Sequence, residues 1–266
     1  AIGLSGALAD VAVRHCAIRA NIGVGTIDKE GTATGLLDLR IEDNQFDCKE
    51  RGVQLTRESV HQSRTRIVGN RFDLCRKVAL AVEGATVPGS GVEISGNSFL
   101  ALGDAIVAGV DGLQVLHNQI AAFKPPGSGL GVVLVEGLAG SLGLADCLVA
   151  GNRIGGLKIG VYVQAPLAST QIRDNQIDRC GIGILADKQR PVRELAVEGN
   201  QLTQMETAAI VLQAMMGDDA RRRISVCGNQ FDSASDDPGV HVSFRGGDVL
   251  FADNHGDHPR SSQPVV

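Results

Sequence analysis

Apolar residues recur along this chain in one short figure: an apolar residue, two others, Asn, one more, then a second apolar residue. It reads Ile41-Glu-Asp-Asn44-Gln-Phe46, then Ile67-Val-Gly-Asn70-Arg-Phe72, then Ile94-Ser-Gly-Asn97-Ser-Phe99. Further copies centre on Asn118, Asn152, Asn175, Asn200, Asn229 and Asn254. The residue three before Asn is apolar in every copy. The residue two after it is apolar in all but the last, where Gly256 stands. One more copy opens the chain, Val13-Arg-His-Cys16-Ala-Ile18, with Cys in the Asn place. Five residues before each Asn stands a further strand former, such as Leu39, Thr65, Val92 or Cys147. This alternation has the period of a strand with one buried face. A third strand follows in each copy, usually opened by Gly or Ala, as in Gly52-Val-Gln-Leu55 and Gly160-Val-Tyr-Val163. Helical periodicity is weak throughout.

Successive Asn residues lie 26, 27, 21, 34, 23, 25, 29 and 25 positions apart. Three short strands with no helix cannot bury an apolar face alone, whereas stacked copies can. Each copy then becomes one coil, and equivalent strands pair in parallel at about 4.8 Å. The pattern predicts an all-β fold, a single-stranded parallel β-helix of about ten coils with an Asn ladder, over residues 1–258. Residues 259–266 read as a polar C-terminal tail. The repeat resembles the right-handed parallel β-helix proteins of the pectate-lyase-like superfamily, over roughly residues 2–256. The resemblance implies a right-handed coil and, in the enzymes of that superfamily, a substrate groove along the third-strand sheet.

The Asn column has a structural explanation. The turn between first and second strands needs left-handed backbone, which Asn tolerates, and stacked amides can bond from coil to coil. The Gly or Asp that often precedes Asn suits the same turn. Phe46, Phe72 and Phe99 hold one position in three consecutive copies and are expected to stack inside.

Composition narrows the function. The chain has 266 residues, 43% hydrophobic and 21% charged, with net charge −5. That is neither a disordered composition nor a basic one, so no nucleic-acid partner is expected. No apolar run reaches the length of a membrane span, so no membrane partner is expected either. Six cysteines, at 16, 48, 75, 147, 180 and 227, form no CxxC pair and are read as free thiols, with neither metal nor cofactor implied. Free thiols lean toward a reducing, cytoplasmic compartment, while the family resemblance leans toward an extracellular one. The chain opens on Ala1 with no signal peptide. The expectation is an excised part of a larger protein, with further coils or a cap ahead of residue 1, or ends sealed by association.

The outward third-strand face is the place to look for binding. The predicted column is Leu80, Val107, Val133, Tyr162, Leu185 and Ile210, flanked by Gln54 and His241. Uronate-acting enzymes carry acids, bases and aromatics there; this chain presents aliphatics, one Tyr and no Trp. Such a stripe predicts a covered sheet, used for self-association or for a covering domain. The alternative is a carbohydrate-active domain, a polysaccharide lyase or glycoside hydrolase acting on an acidic polysaccharide. Its candidate catalytic cluster is His241 as general base, with Asp236, Asp237, Asp218, Asp219 and Arg221, beside Arg222 and Arg223. The structural counterpart of that cluster is a surface His among ordinary loop charges. Polygalacturonase-type N-T-D, D-D, G-H-G and R-I-K strings do not occur in order, and Asp218-Asp219 and Asp236-Asp237 are isolated pairs. The string Asp253-Asn-His255-Gly-Asp257-His258 holds metal-ligand types without a predicted metal site.

Overall fold

The computed structural model describes residues 1–27, 34–56, 60–86, 91–136, 144–186, 192–212, 223–232, 240–242 and 248–256. Among these, the regular elements are strands, and they pair in parallel. The first strands of the repeat form a ten-stranded sheet, from Ala12–Arg14, Arg40–Glu42 and Thr65–Val68 through to Asp248–Ala252. Coils are numbered 1 to 10 along this sheet. Second and third strands share an 18-stranded sheet, because in coils 1 and 2 they run on unbroken as Ala17–Thr26 and Gln45–Leu55. From coil 3 they separate, as Arg71–Asp73 and Val78–Glu83. The chain is a parallel β-solenoid.

A four-stranded strip of Ala7–Ala9, Thr34–Leu37, Val60–Ser63 and Ala85–Thr86 was not legible in the repeat. The links from third strand to first therefore contain strand, as at Val60–Ser63 and Ala85–Thr86. Backbone carried past its neighbour at coil spacing satisfies its amides by pairing, whatever its side chains.

Register holds the copies in step. Ile41 pairs with Ile67, Ile67 with Ile94 and Ile94 with Val115, and all four are buried. Phe72 lies in register with Phe46 and Phe99. Their rings stack at 4.8 Å and 4.7 Å, within 6° and 3° of parallel, at about the coil spacing itself.

The asparagines form a continuous ladder from Asn44 to Asn254. Asn175 shows the pattern. Its Oδ1 accepts from the backbone N–H of Asn152 at 3.0 Å and from the Asn152 amide at 2.9 Å. Its own Nδ2 donates to the Val149 carbonyl at 2.9 Å and to Oδ1 of Asn200 at 2.9 Å. Cys16, in the Asn place of coil 1, joins through its backbone N–H, which donates to Oδ1 of Asn44 at 3.0 Å. The left-handed residue of the turn is not Asn, as the sequence led us to expect, but the one before it. Asp43, Gly69, His117 and Asp174 have φ of 54°, 67°, 54° and 56°. That kink turns the Asn amide inward, where its bonds lie along the stack. The side chains of Asp43, His117 and Asp174 in turn sit over the bare Cα of Gly69, Gly151 and Gly199 in the next coil.

The Gly or Ala that opens each third strand marks a crowded corner of the core. A Cβ on Gly183 would stand 2.5 Å from the Ala209 carbonyl and collide with Leu202 of the next coil. Gly160 meets Ile177 and the Gly183 carbonyl in the same way. A second-strand side chain fills the space a larger opening residue would need.

Four of the six free thiols are buried: Cys48, Cys75, Cys147 and Cys180. Burial pushes Cys75 and Cys147 up to about 12 and Cys180 up to about 11. In the native protein a thiol reagent is expected to label exposed Cys16 first and half-exposed Cys227 next. The other four react only on unfolding, which mass spectrometry of labelled peptides reads directly. A raised thiol pKa also sets the sign of the alkaline limb of stability. Below the unfolded value of 9.0 both states hold the proton and the contribution is complete. As pH rises from 9 toward 12 the unfolded chain ionises first and stability falls. Urea midpoints are therefore expected to drop between pH 8 and about 10.5, and to drop less in Cys75→Ala/Cys147→Ala.

Candidate functional site: the third-strand face

The three faces of the solenoid differ in chemistry. Along the second strand the outward residue after each Asn is polar and exposed: Gln45, Arg71, Ser98, Gln119, Arg153, Gln176, Gln201 and Gln230. The first strand carries ion pairs between coils, Arg14 to Glu42 at 2.7 Å and Arg66 to Glu93 at 3.5 Å. Such exposed pairs keep a face solvated and add little stability.

The third strand is different, and its geometry explains why. Two successive residues, such as Gly52 and Val53 or Ala105 and Ile106, turn inward before ordinary alternation begins. Outward positions therefore fall into three columns. The central column runs in register through Gln54, Ala81, Val107, Val133, Tyr162, Leu185 and Val211 to the position of His241. The column before it is Arg51, Val78, Asp104, Leu130, Ile159, Ile182 and Ala208. The column after it begins Thr56, Glu83, Gly109, Val135 and Gln164.

Four of the six residues expected in the stripe stand in the central column: Val107, Val133, Tyr162 and Leu185. The other two do not. Leu80 and Ile210 are wholly buried, paired in register with the interior residues Val53, Ile106 and Ile184. Ala81 and Val211 take the outward places. Val82 and Leu212, two positions further on, are likewise wholly buried. The runs Val78-Ala-Leu-Ala-Val82 and Ala208-Ala-Ile-Val-Leu212 carry no polar residue to mark the outer face, so a one-residue slip in reading them reverses every side chain.

From coil 3 to coil 8 the first two columns hold one charged side chain, Asp104. Its Oδ1 accepts from the Leu130 backbone N–H at 2.9 Å, and burial still pushes the carboxyl above its ordinary value. Burial also raises Glu83 in the third column, with the Arg51 guanidinium pulling the other way. Tight stacking makes the surface flat: Val133, Ile159 and Val211 are buried, and Val107, Leu130, Tyr162, Ile182 and Leu185 half-exposed.

His241 takes the register place beside Val211 on strand Val240–Val242. Asp218, Asp219, Arg221, Arg222, Asp236 and Asp237 lie outside the described residues. Arg223, itself exposed, opens the first strand of coil 9. Asp253 and His255 are exposed, and Asp257 and His258 lie outside the described residues. Among the described residues no three His, Cys, Asp or Glu side chains converge as a metal site, and no helix is long and apolar enough to cross a membrane.

The geometry defines the class: a parallel β-solenoid with two polar faces and one flat apolar face. Compared with known protein families, curated proteins and solved structures, the chain matches none.

Proposed function

We propose that the chain is a non-catalytic scaffold, an interaction module of a larger protein, whose third-strand face docks against another protein surface. The observation that carries this reading is the contrast between faces. Apart from Asp104, the third-strand face holds apolar side chains in two adjacent columns over six coils, while the other two hold Gln, Arg and ion pairs. A contiguous apolar patch rimmed by charge is the usual mark of a protein contact. Sugar rings need aromatic platforms and several hydrogen-bonding side chains, and the first two columns of this face from coil 3 to coil 8 offer one aromatic residue, Tyr162, and one carboxylate, Asp104, already held by the Leu130 N–H. The resemblance of the repeat to pectate-lyase-like chains supports descent from that superfamily, with the groove replaced by a docking face.

Hydroxyl-radical footprinting of the natural full-length protein tests the reading. Tyr162 is expected to be oxidised several-fold less than in Val107→Glu/Leu185→Ser, which keeps the interior columns intact. Equal oxidation at Tyr162 would overturn the docking role. Release of unsaturated or reducing sugar ends from polygalacturonate or alginate would overturn the non-catalytic one.

A further inference from the structure

We propose that the partner of this face is a second copy of the same chain, packed with its solenoid axis parallel to the first. The proposal rests on the docking reading above and adds to it the identity and orientation of the partner. It comes from the charge on the two rims. In coils 3 to 6 the exposed charges at the turn entering the third strand are basic, Arg76, Lys77, Lys124 and Lys158, while half-exposed Asp104 at the start of the coil 4 strand is engaged by the Leu130 N–H. The rim where the third strand ends is acidic, with Glu136 exposed and Glu83 and Asp111 half-exposed. Some of this charge is already engaged within the chain. Lys77 pairs with Glu50 at 2.9 Å, Asp111 accepts from the Ala145 N–H at 2.9 Å, Lys124 lies 5.7 Å over the Phe123 ring, and Glu83 and Glu136 also have partners within the chain. The difference in sign across the apolar strip remains.

Two copies meeting face to face can be related by a two-fold axis in the plane of contact, either along the solenoid or across it. An axis across the solenoid sets base against base and acid against acid. An axis along it carries one rim onto the opposite rim, so each basic edge meets an acidic one, and each coil faces its own counterpart. Lys77 then lies over the coil that carries Glu83, and Lys124 over the coil that carries Glu136. Opposed like charges are penalised and opposed unlike charges fix register, so the rims select the parallel pair. The apolar columns supply the contact itself.

Size sets the strength. The strip from Lys77 to Glu83 is about 20 Å wide, and coils 3 to 8 span about 24 Å, so each copy offers roughly 500 Å². A standard stable interface buries about 800 Å² per partner. The pair is therefore a weak, reversible dimer.

Sedimentation equilibrium on the 266-residue chain reads the dimer, and single cysteines read its orientation. Val107→Glu/Leu185→Ser is expected to raise the dimer dissociation constant at least tenfold. Lys77→Glu/Lys158→Glu and Glu83→Lys/Glu136→Lys should each weaken self-association several-fold, and an equimolar mixture of the two should restore it. For orientation, Val107→Cys and Leu185→Cys are placed separately in a Cys16→Ser/Cys227→Ser background and treated with a short bis-maleimide. In the parallel pair both variants link to their own kind, because both positions run close along the two-fold axis. In an antiparallel pair the two positions are about 14 Å apart along the stack, and at most one links. A wild-type chain that stays monomeric at all concentrations overturns this inference, and the footprint of the full-length protein still decides the docking reading. A dimer that survives the Glu substitution, or that links at one position only, overturns the parallel pair.

Discussion

Phe72→Ala is expected to lower the unfolding free energy of the solenoid by about 3–5 kcal/mol, the range for emptying a large buried aromatic site. The ring is wholly buried, between Phe46 at 4.8 Å and Phe99 at 4.7 Å. Removing it leaves two aromatic faces without a neighbour. The coils above and below cannot close over the gap, because their spacing is fixed by the backbone ladder on both sides. The void also opens beside Gly52, whose missing side chain was the room the Phe72 ring occupied. Urea unfolding followed by circular dichroism gives the number. Phe72→Leu, which keeps most of the volume, should cost clearly less. A loss below about 1 kcal/mol for Phe72→Ala would mean that the stack is not a supporting column of the core.

Asn175→Ala should cost about 3 kcal/mol or more, with no change in apolar burial to explain it. The side chain accepts two bonds and donates two, all within 3.0 Å, and is wholly buried. Truncation leaves the Asn152 backbone N–H and amide, the Val149 carbonyl and Asn200 Oδ1 each short of a partner in a site shut to water. Buried groups left unpaired cost far more than an average hydrogen bond contributes. Asn254→Ala is the control. That residue ends the ladder and is half-exposed, so water can replace what is lost, and about 1 kcal/mol is expected. Similar losses at both positions would remove burial from the explanation. Hydrogen exchange adds a local readout: amide protection next to Asn152 and Asn200 should fall in Asn175→Ala while distant coils keep theirs.

These two residues were also the most legible in the chain. Asn and Phe recur at fixed offsets within a short figure, and both the turn and the alternation around it are local. The strip that contains Val60–Ser63 was not legible, because it is made by backbone pairing and leaves no side-chain period behind. The turn was read one residue off for a related reason. The position before Asn is filled by Asp at 43 and 174, Gly at 69 and His at 117, so it varies where Asn recurs, and the recurring Asn drew attention away from the left-handed residue.

The candidate site divides along the same line. Where a polar residue marks one face of the third strand, as Gln54 does in coil 2, the outward column follows from alternation. Where the strand is apolar on both sides, as at Leu80 and Ile210, alternation says nothing, and packing against the next coil chooses the side.

By itself the sequence determined the coil, its length and the residues that stack inside, because each depends on a period of two and a turn within a few residues. Only the tertiary structure decided which apolar residues face out and that the two rims of that face differ in charge. Both depend on how far each strand is carried before it stacks on its neighbour. That distance is set by the register between coils, which no single copy of the repeat contains.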